Sequence, residues 1–223
     1  MRDPSPDARP VVVFDAFGTL FDVHSAVARN AASIGPASVH LSEIWRAKQL
    51  EYTWTLSLMG RFEPFWRLTE RALDQALARS PEVDPIVRDR LLASYRALDA
   101  YPEVPRTLAR LRARGARTAI LSNGDEPMLA DAVASAGIGG ALDAVLSVDR
   151  VRVFKTDPRT YALVEAAFGC ARKDVLFVSS NRWDVAGAVA YGFAAAWVNR
   201  SGAPDEYADL APQATVADLD AVP

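Results

Sequence analysis

An aspartate directly after a short apolar run is the first feature of this sequence with a chemical use. The run Val11–Phe14 has the β-branched and aromatic content of a buried strand, and Asp15 follows it at once. Gly18, which suits a tight turn, and the hydroxyl of Thr19 come shortly after. In open α/β sheets, ligands bind just beyond the carboxyl ends of strands. A carboxylate placed there can act as a nucleophile and form an ester, although a plain strand and turn share this pattern.

Polar side chains also end three later apolar runs. They are Ser122 and Asn123 after one run, Ser179, Asn181 and Asp184 after another, and Lys155 on the loop that follows a third. Because the carboxyl ends of parallel strands meet at one edge of a sheet, we expect these side chains to converge on Asp15. Turn formation alone would also explain the segment 122–124, and a helix N-cap would explain 179–184.

The elements that position these residues alternate along the second half of the chain. We predict strands over 118–122, 144–148, 175–179 and 194–198, with helices over 104–113, 128–136, 158–168 and 184–191. This alternation predicts an α/β fold, a Rossmann-like parallel sheet with helices on both faces. Residues 25–95 show helical spacing only. We therefore expect 10–22 and 100–223 to form the catalytic core, with 23–99 as an inserted helical cap subdomain.

Composition limits the classes of partner. The 223 residues are half hydrophobic, and 25 basic against 28 acidic residues give a net charge of −3, which offers no electrostatic footprint for nucleic acid. The single cysteine, Cys170, rules out an internal disulfide and favours a reducing compartment. The polar segment 1–10 has no apolar stretch of a secretory signal. We expect a cytoplasmic protein with no membrane partner.

The two histidines do not suggest a Ser-His-Asp hydrolase, which is the common rival design. Neither His24 nor His40 lies at a predicted strand end. The sequence also lacks the Gly-x-Ser-x-Gly turn that presents a nucleophilic serine. The aspartate at the first strand end therefore stays the candidate nucleophile.

Five segments of the chain resemble the haloacid dehalogenase superfamily and, within it, the L-2-haloacid dehalogenases. They are 14–25, 45–54, 120–124, 153–155 and 177–184. The second and the fifth resemble the dehalogenase branch specifically, and the others the whole superfamily. Two positions depart from the pattern. Ala47 replaces a common glutamine, which we expect to alter the pocket size, and Thr156 replaces the usual proline, which we expect to leave the loop of Lys155 less rigid.

The resemblance implies hydrolysis of short (S)-2-haloacids to (R)-2-hydroxy acids. Asp15 would attack the substrate Cα in line, expel the halide and invert the stereocentre. Water would then attack the aspartyl carbonyl rather than the substrate carbon, which releases the hydroxy acid. The resemblance also implies a homodimer.

Ten residues match the catalytic set that this resemblance implies. They are Asp15, Thr19, Arg46, Ser122, Asn123, Lys155, Tyr161, Ser179, Asn181 and Asp184. Arg46 and Asn123 would receive the departing halide, because a guanidinium is always charged and offers several donors. Ser122 would bind the substrate carboxylate. Tyr161 would donate to the network, or pack as an ordinary core tyrosine.

The remaining members of this set would hold and activate the reacting groups. Lys155 would orient the nucleophilic carboxylate, and Thr19 would fix its rotamer. Asp184, positioned by Ser179 and Asn181, would activate the hydrolytic water. The substrate's alkyl group would meet a dry wall, formed by Phe17, Leu50, Phe65 and Trp183.

The same motifs argue against phosphoryl transfer. Phosphatases of the superfamily carry a second aspartate two residues after the nucleophile, where this chain has Phe17. They also hold Mg²⁺ with an acidic pair in the last motif, where this chain has Ser179 and Asn181. We expect no metal and no cofactor, with Lys155 paired to Asp184 in the volume that a metal would fill. A Mg²⁺-dependent phosphatase and an inactive carboxylate-binding relative are the alternatives.

Overall fold

A six-stranded parallel sheet forms the centre of the computed structural model, in the strand order β3-β2-β1-β4-β5-β6. The structure describes residues 9–223. Residues 1–8, part of the segment in which we expect no secretory signal, lie outside the described residues. The strands are β1 Val11–Phe14, β2 Arg117–Ser122, β3 Ala144–Ser147, β4 Val175–Ser179, β5 Ala194–Val198 and β6 Ala214–Val216. Every neighbouring pair is parallel, which confirms the predicted α/β class.

Nine α-helices occur in the described part of the chain. They are α1 Ser25–Ala28, α2 Ala31–Ile34, α3 Ser38–Leu58, α4 Phe65–Ala78, α5 Arg88–Arg96, α6 Val104–Ala113, α7 Glu126–Ser135, α8 Pro158–Phe168 and α9 Arg182–Tyr191. Helices α1 to α5 follow β1 without an intervening strand, as the helical spacing predicts. Helices α6 to α9 then alternate with the strands. Among residues 9–223, no helix is long and apolar enough to cross a bilayer.

The predicted elements differ from the observed ones mainly at their ends. Helix α7 begins two residues earlier than predicted, because the Asp125 carboxylate caps it by accepting the Met128 N–H at 3.1 Å. Strand β6 is absent from the prediction. It has three residues, lies at the edge of the sheet and exposes Thr215, so it shows too little apolar pattern to recognise.

The sheet is buried on both faces, as expected for parallel strands covered by helices. Along β1, Val12 and Phe14 belong to one apolar cluster and Val11 and Val13 to another, because successive side chains point to opposite faces. The first cluster continues into the long helices after β1, through residues such as Leu68 of α4. The helical segment therefore shares one continuous apolar cluster with one face of the sheet.

The order of the strands places the end of β1 at the switch point of the sheet. Strand β1 lies between β2 and β4, and Phe14 pairs with Ile120 on one side and with Val178 on the other. Chains that leave β1 and its neighbours wind in opposite directions, which opens a crevice at this point. Asp15 and Ser179 follow directly after these paired positions and lie side by side.

Candidate active site

Asp15 lies at the switch point, with its carboxylate held by four donors. It is 5% exposed, and its backbone N–H extends the β-ladder by donating to the Val178 carbonyl at 2.9 Å. Oδ2 accepts from Asn181 Nδ2 at 2.7 Å, Thr19 Oγ1 at 3.2 Å and Ser179 Oγ at 3.4 Å. Oδ1 accepts from Lys155 Nζ at 3.0 Å. These donors supply the hydrogen bonds that a carboxylate almost removed from water requires.

The turn after β1 brings Thr19 back to the nucleophile. Gly18 has φ of +92°, a conformation that costs little only in glycine, and an added Cβ would lie 3.6 Å from the Asn181 amide. The Thr19 hydroxyl donates to Asp15 and accepts the Ser180 N–H at 2.9 Å. Thr19 thus ties the loop after β1 to the loop after β4, as a rotamer-fixing role requires.

Lys155 bridges two buried carboxylates. Its ammonium lies 3.0 Å from Asp15 Oδ1 and 2.8 Å from Asp184 Oδ2, and the side chain is fully buried. Burial lowers the pKa of Lys155, but the attraction of Asp15 and then of Asp184 outweighs burial and raises the pKa overall. The Lys155 backbone N–H donates to Asn123 Oδ1 at 2.9 Å, which fixes the start of this side chain. The ammonium fills the space between the two acids, as predicted.

Asp184 is fully buried, and its pKa suits a group that accepts a proton near neutral pH. Burial raises the pKa of Asp184 to about 6, while the Lys155 charge and the Tyr161 hydrogen bond oppose that rise. Tyr161 on α8 donates to Asp184 Oδ1 at 2.8 Å, and burial raises the pKa of this phenol well above its usual value. Tyr161 therefore belongs to the polar network rather than to the apolar core alone.

The prediction that Ser179 and Asn181 position Asp184 is wrong for their side chains, although the Asn181 backbone carbonyl accepts the Asp184 N–H at 3.0 Å. Both side chains instead donate to Asp15 Oδ2, because the register of β4 against β1 places their loop beside the nucleophile. The Asp184 carboxylate lies on the first turn of α9 and faces α8, where Tyr161 reaches it. The two acids are thus held by separate groups of donors and share only Lys155.

The loop after β2 serves both as a turn and as part of the site. Ser122 Oγ accepts the Gly124 N–H at 3.0 Å, which is ordinary turn chemistry, and Ser122 is 1% exposed. An added Cβ on Gly124 would lie 2.5 Å from the Phe17 ring, so only glycine permits this close approach. The turn therefore packs against the loop after β1 and brings Ser122 and Asn123 to the edge that carries Asp15.

Arg46 reaches this edge from α3. Its Nη2 lies 3.2 Å from the Phe17 carbonyl and 3.5 Å from Asn181 Oδ1. Within residues 9–223 it forms no ion pair with a carboxylate. An arginine that is half-buried beside polar groups but lacks a counter-ion is suited to an external anion.

Apolar side chains from both parts of the chain surround these charges. Phe17 stacks on Phe65 with ring centroids 6.0 Å apart. Leu50 and Trp183 line, together with Arg46 and Asn181, a cleft of about 380 Å³. Of the four residues predicted to form a dry wall, Phe17 and Phe65 form the ring stack, whereas Leu50 and Trp183 line the cleft.

The expectation that Ala47 alters the pocket size is wrong. Ala47 is exposed and does not line the cleft, whereas Arg46 and Leu50 do. Residues four positions apart share a helix face, and the position immediately after Arg46 points away from that face.

A buried series of side-chain hydrogen bonds close to Arg46 was not predicted from the sequence. The Tyr95 hydroxyl donates to Gln49 Oε1 at 3.3 Å, and Gln49 Nε2 donates to Thr69 Oγ1 at 2.9 Å. Burial raises the pKa of Tyr95, and the Arg46 cation opposes that rise. One sequence signal could have revealed this series: Gln49 is a polar residue in the same helical stripe as Trp45.

The fold and the site define a class, namely α/β enzymes whose chemistry takes place at a carboxylate on the switch point of a parallel sheet. The haloacid dehalogenase-like hydrolase family matches residues 10–192. The chain belongs to this family.

Two curated relatives and one solved structure show how close the likeness is. (S)-2-haloacid dehalogenase 1 of Pseudomonas sp. (strain CBS-3) is 46% identical over 207 residues, which cover 90% of this chain and 88% of the relative. (S)-2-haloacid dehalogenase 4A of Burkholderia cepacia is 44% identical over 202 residues, covering 90% and 87%. L-2-haloacid dehalogenase from Xanthobacter autotrophicus, solved with chloropropionic acid covalently bound, is 39% identical with a TM-score of 0.83 and covers 95% of each chain.

Proposed function

We propose that this chain is a hydrolytic (S)-2-haloacid dehalogenase. It converts short (S)-2-haloacids to (R)-2-hydroxy acids with inversion, through an ester on Asp15. The observation that carries the proposal is the division of charge at the site. The Asp15 carboxylate accepts hydrogen bonds from four donors, while Arg46 forms no ion pair with a carboxylate of residues 9–223. A nucleophile beside an unpaired cation suits a substrate that leaves as an anion.

In the first step, Asp15 displaces the halide. Among residues 9–223, three donors contact Oδ2 and Lys155 alone contacts Oδ1, so we assign the attack on the substrate Cα to Oδ1. The new C–O bond forms as the carbon–halogen bond breaks, and the halide leaves with the bonding electron pair. In-line displacement inverts Cα. Holding the reactants in this geometry can supply about 7–11 kcal/mol of the barrier.

In the second step, water opens the ester. Attack at the Asp15 carbonyl carbon places negative charge on Oδ2, where Asn181, Ser179 and Thr19 already donate. Asp184, whose pKa burial raises to about 6, takes the proton from the water. The bond from the carbonyl carbon to Oδ1 breaks, and Asp184 returns its proton to Oδ1, which leaves as the hydroxyl of the product. Asp15 keeps one oxygen from water, and the second proton of that water is released to solvent. A relative with chloropropionic acid covalently bound supports an intermediate of this kind.

The substrate is recognised by a small number of polar groups and an apolar wall. We assign the halide to Arg46 and to Asn123, whose Nδ2 is the amide atom not engaged by the Lys155 backbone. Ser122 binds the substrate carboxylate. The wall of Phe17, Leu50, Phe65 and Trp183 contacts the alkyl group and limits the access of water.

Chloride release from the two enantiomers of 2-chloropropionate, measured with EDTA present, tests the proposal. We expect chloride from the L-isomer only, with none from the Asp15→Asn variant. Phosphate release from esters, dependent on Mg²⁺, would identify the phosphatase instead. A melting shift with a 2-haloacid but no turnover would identify a carboxylate-binding relative.

The organisation of the protein is proposed on the same basis. We propose that 10–22 and 100–223 form the catalytic core and that 23–99 form the cap. We also propose a homodimer, which the family resemblance implies, and a cytoplasmic location, which the single cysteine favours. Light scattering during size-exclusion chromatography measures the mass of the assembly, and a monomer across the concentration range would refute the dimer.

A further inference from the structure

The carboxylate of Asp125 joins the two halves of the site. Asp125 follows directly after the turn of Ser122 and Asn123, and its Oδ1 caps α7 by accepting the Met128 N–H at 3.1 Å. Its Oδ2 accepts the Trp66 N–H at 2.7 Å, on the first turn of α4. A single carboxylate thus caps two helices, one in the core and one in the helical segment after β1.

Helix α4 has no cap of its own. The residue before it is Pro64, which offers no side-chain acceptor. Its carbonyl accepts the N–H groups of Arg67 and Leu68, so the Trp66 N–H depends on a partner from elsewhere. Asp125, 59 positions away in sequence, supplies it. The carboxylate is 5% exposed, and its charge lies at the positive ends of two helix dipoles. A buried hydrogen bond to a charged group is among the stronger ones in proteins.

The turn that Asp125 holds carries a residue of the site. Phe65 immediately precedes Trp66 and stacks on Phe17, at the wall beside the nucleophile. A second contact crosses the same seam, where Arg96 pairs with Asp131 at 2.9 Å and lies 4.0 Å from the Trp66 ring. That second pair is about half exposed and is therefore screened by solvent.

We propose that Asp125 is a positioning residue that latches the first turn of α4, and with it Phe65, onto the core edge of the site. Its effect on turnover rests on the proposed dehalogenation. Through Oδ1 and Oδ2, Asp125 fixes the position of the Phe65 ring relative to the turn that contains Ser122. Loss of the Oδ2 contact frees α4 to move away from Phe17, which lowers the fraction of molecules with a closed wall.

Three variants at this position separate the two contacts. Asp125→Ser keeps the cap of α7, because serine is as good an N-cap as aspartate, but its single oxygen cannot also serve Trp66. Asp125→Asn keeps an acceptor for Met128 and turns an N–H donor toward Trp66. Asp125→Ala loses both contacts. Asp131→Asn is the matched control, since it makes the same charge change on α7 at the screened pair.

Amide hydrogen exchange and steady-state kinetics are measured on each variant. We expect Asp125→Ser and Asp125→Asn to exchange the Trp66 amide about 10-fold faster or more, with α7 still protected and KM raised while kcat changes little. Asp131→Asn should behave as wild type. Unchanged protection of Trp66 overturns the proposal, and so does lost protection with an unchanged KM. If the wild type releases no halide, only the proposed function fails, because exchange at Trp66 is measured without turnover.

Discussion

The two cations of the site differ in what surrounds them. On the core side, Lys155 is fully buried and lies within 3.0 Å of both Asp15 and Asp184. On the side of α3, Arg46 is half-buried, lies 3.2 Å from the Phe17 carbonyl and 3.5 Å from Asn181 Oδ1, and forms no ion pair with a carboxylate of residues 9–223. The core side therefore has one cation shared by two carboxyl groups before any substrate arrives, whereas the cation on the α3 side has no carboxylate of the described residues beside it. The first region holds the reacting groups of the protein, and the second is left to receive an anion.

This difference explains how one site can catalyse two steps that require different groups. Displacement needs an ionised nucleophile and a place for a leaving anion, and hydrolysis needs a base that is still unprotonated near neutral pH. Burial raises the pKa of Asp184 to about 6, and the charge of Lys155 opposes a further rise. The unpaired Arg46 stabilises charge that appears only as the carbon–halogen bond breaks.

Removal of Lys155 should have the largest effect on the core side. In Lys155→Met, two buried carboxylates face each other without a cation, so we expect the free energy of unfolding to fall by about 3–5 kcal/mol. Activity at pH 7 should fall by at least about 10²-fold, because Asp184 is then protonated. Urea unfolding and chloride release measure both effects. Lys173→Met, at an exposed lysine, is the control, and equal effects of the two changes would contradict the account.

Removal of Arg46 should spare stability and impair the chemistry. We expect Arg46→Met to lower kcat about 10²–10³-fold with a chloro substrate, and less with a bromo substrate, because bromide leaves more easily. The melting temperature should change little, since no buried acid loses its partner. Arg61→Met serves as a control at an exposed arginine. An equal loss of kcat for both halides would argue against a role of Arg46 at the leaving group.

The role of Asp184 as a base should be visible in the pH dependence of the rate. A protonated Asp184 cannot accept a proton, so the rate should fall as pH drops through a pKa of about 6. The Tyr161 hydrogen bond lowers that pKa, and Tyr161→Phe should therefore move the acid limb to higher pH and restore near wild-type rates at pH 9. Tyr191→Phe is the control, because the Tyr191 ring stacks on Tyr161 while its hydroxyl donates to Glu165 and not to Asp184. An acid limb that is unmoved in Tyr161→Phe, or moved equally in both, would contradict the assignment.

Chelation should have the smallest effect of all. Within residues 9–223, no cluster of three or more acidic, histidine or cysteine side chains is placed to hold a metal ion, and Lys155 lies between the two acids. We expect EDTA to leave the rate of chloride release unchanged. A loss of activity that Mg²⁺ restores would contradict the assignment of Lys155 to the place of a metal ion.

The sequence is sufficient to predict the residues that lie at strand ends. Asp15, Ser122 and Ser179 each close an apolar run, and the parallel arrangement then brings them to one edge without further information. Contact partners are harder to predict. The partners of Tyr95 and Asp125 lie 46 and 59 positions away, on helices whose relative placement depends on packing. The orientation of Asp184 also depends on α8, and local pattern did not reveal it.

A single-turnover reaction in H₂¹⁸O tests the central claim most directly. Enzyme in excess over L-2-chloropropionate is quenched after one turnover, and the peptide that contains Asp15 is analysed by mass spectrometry. If water attacks an Asp15 ester at its carbonyl carbon, the peptide gains one ¹⁸O atom and the hydroxy acid carries none. Label in the hydroxy acid with an unlabelled Asp15 would mean that water attacks the substrate carbon directly, and it would contradict the covalent mechanism.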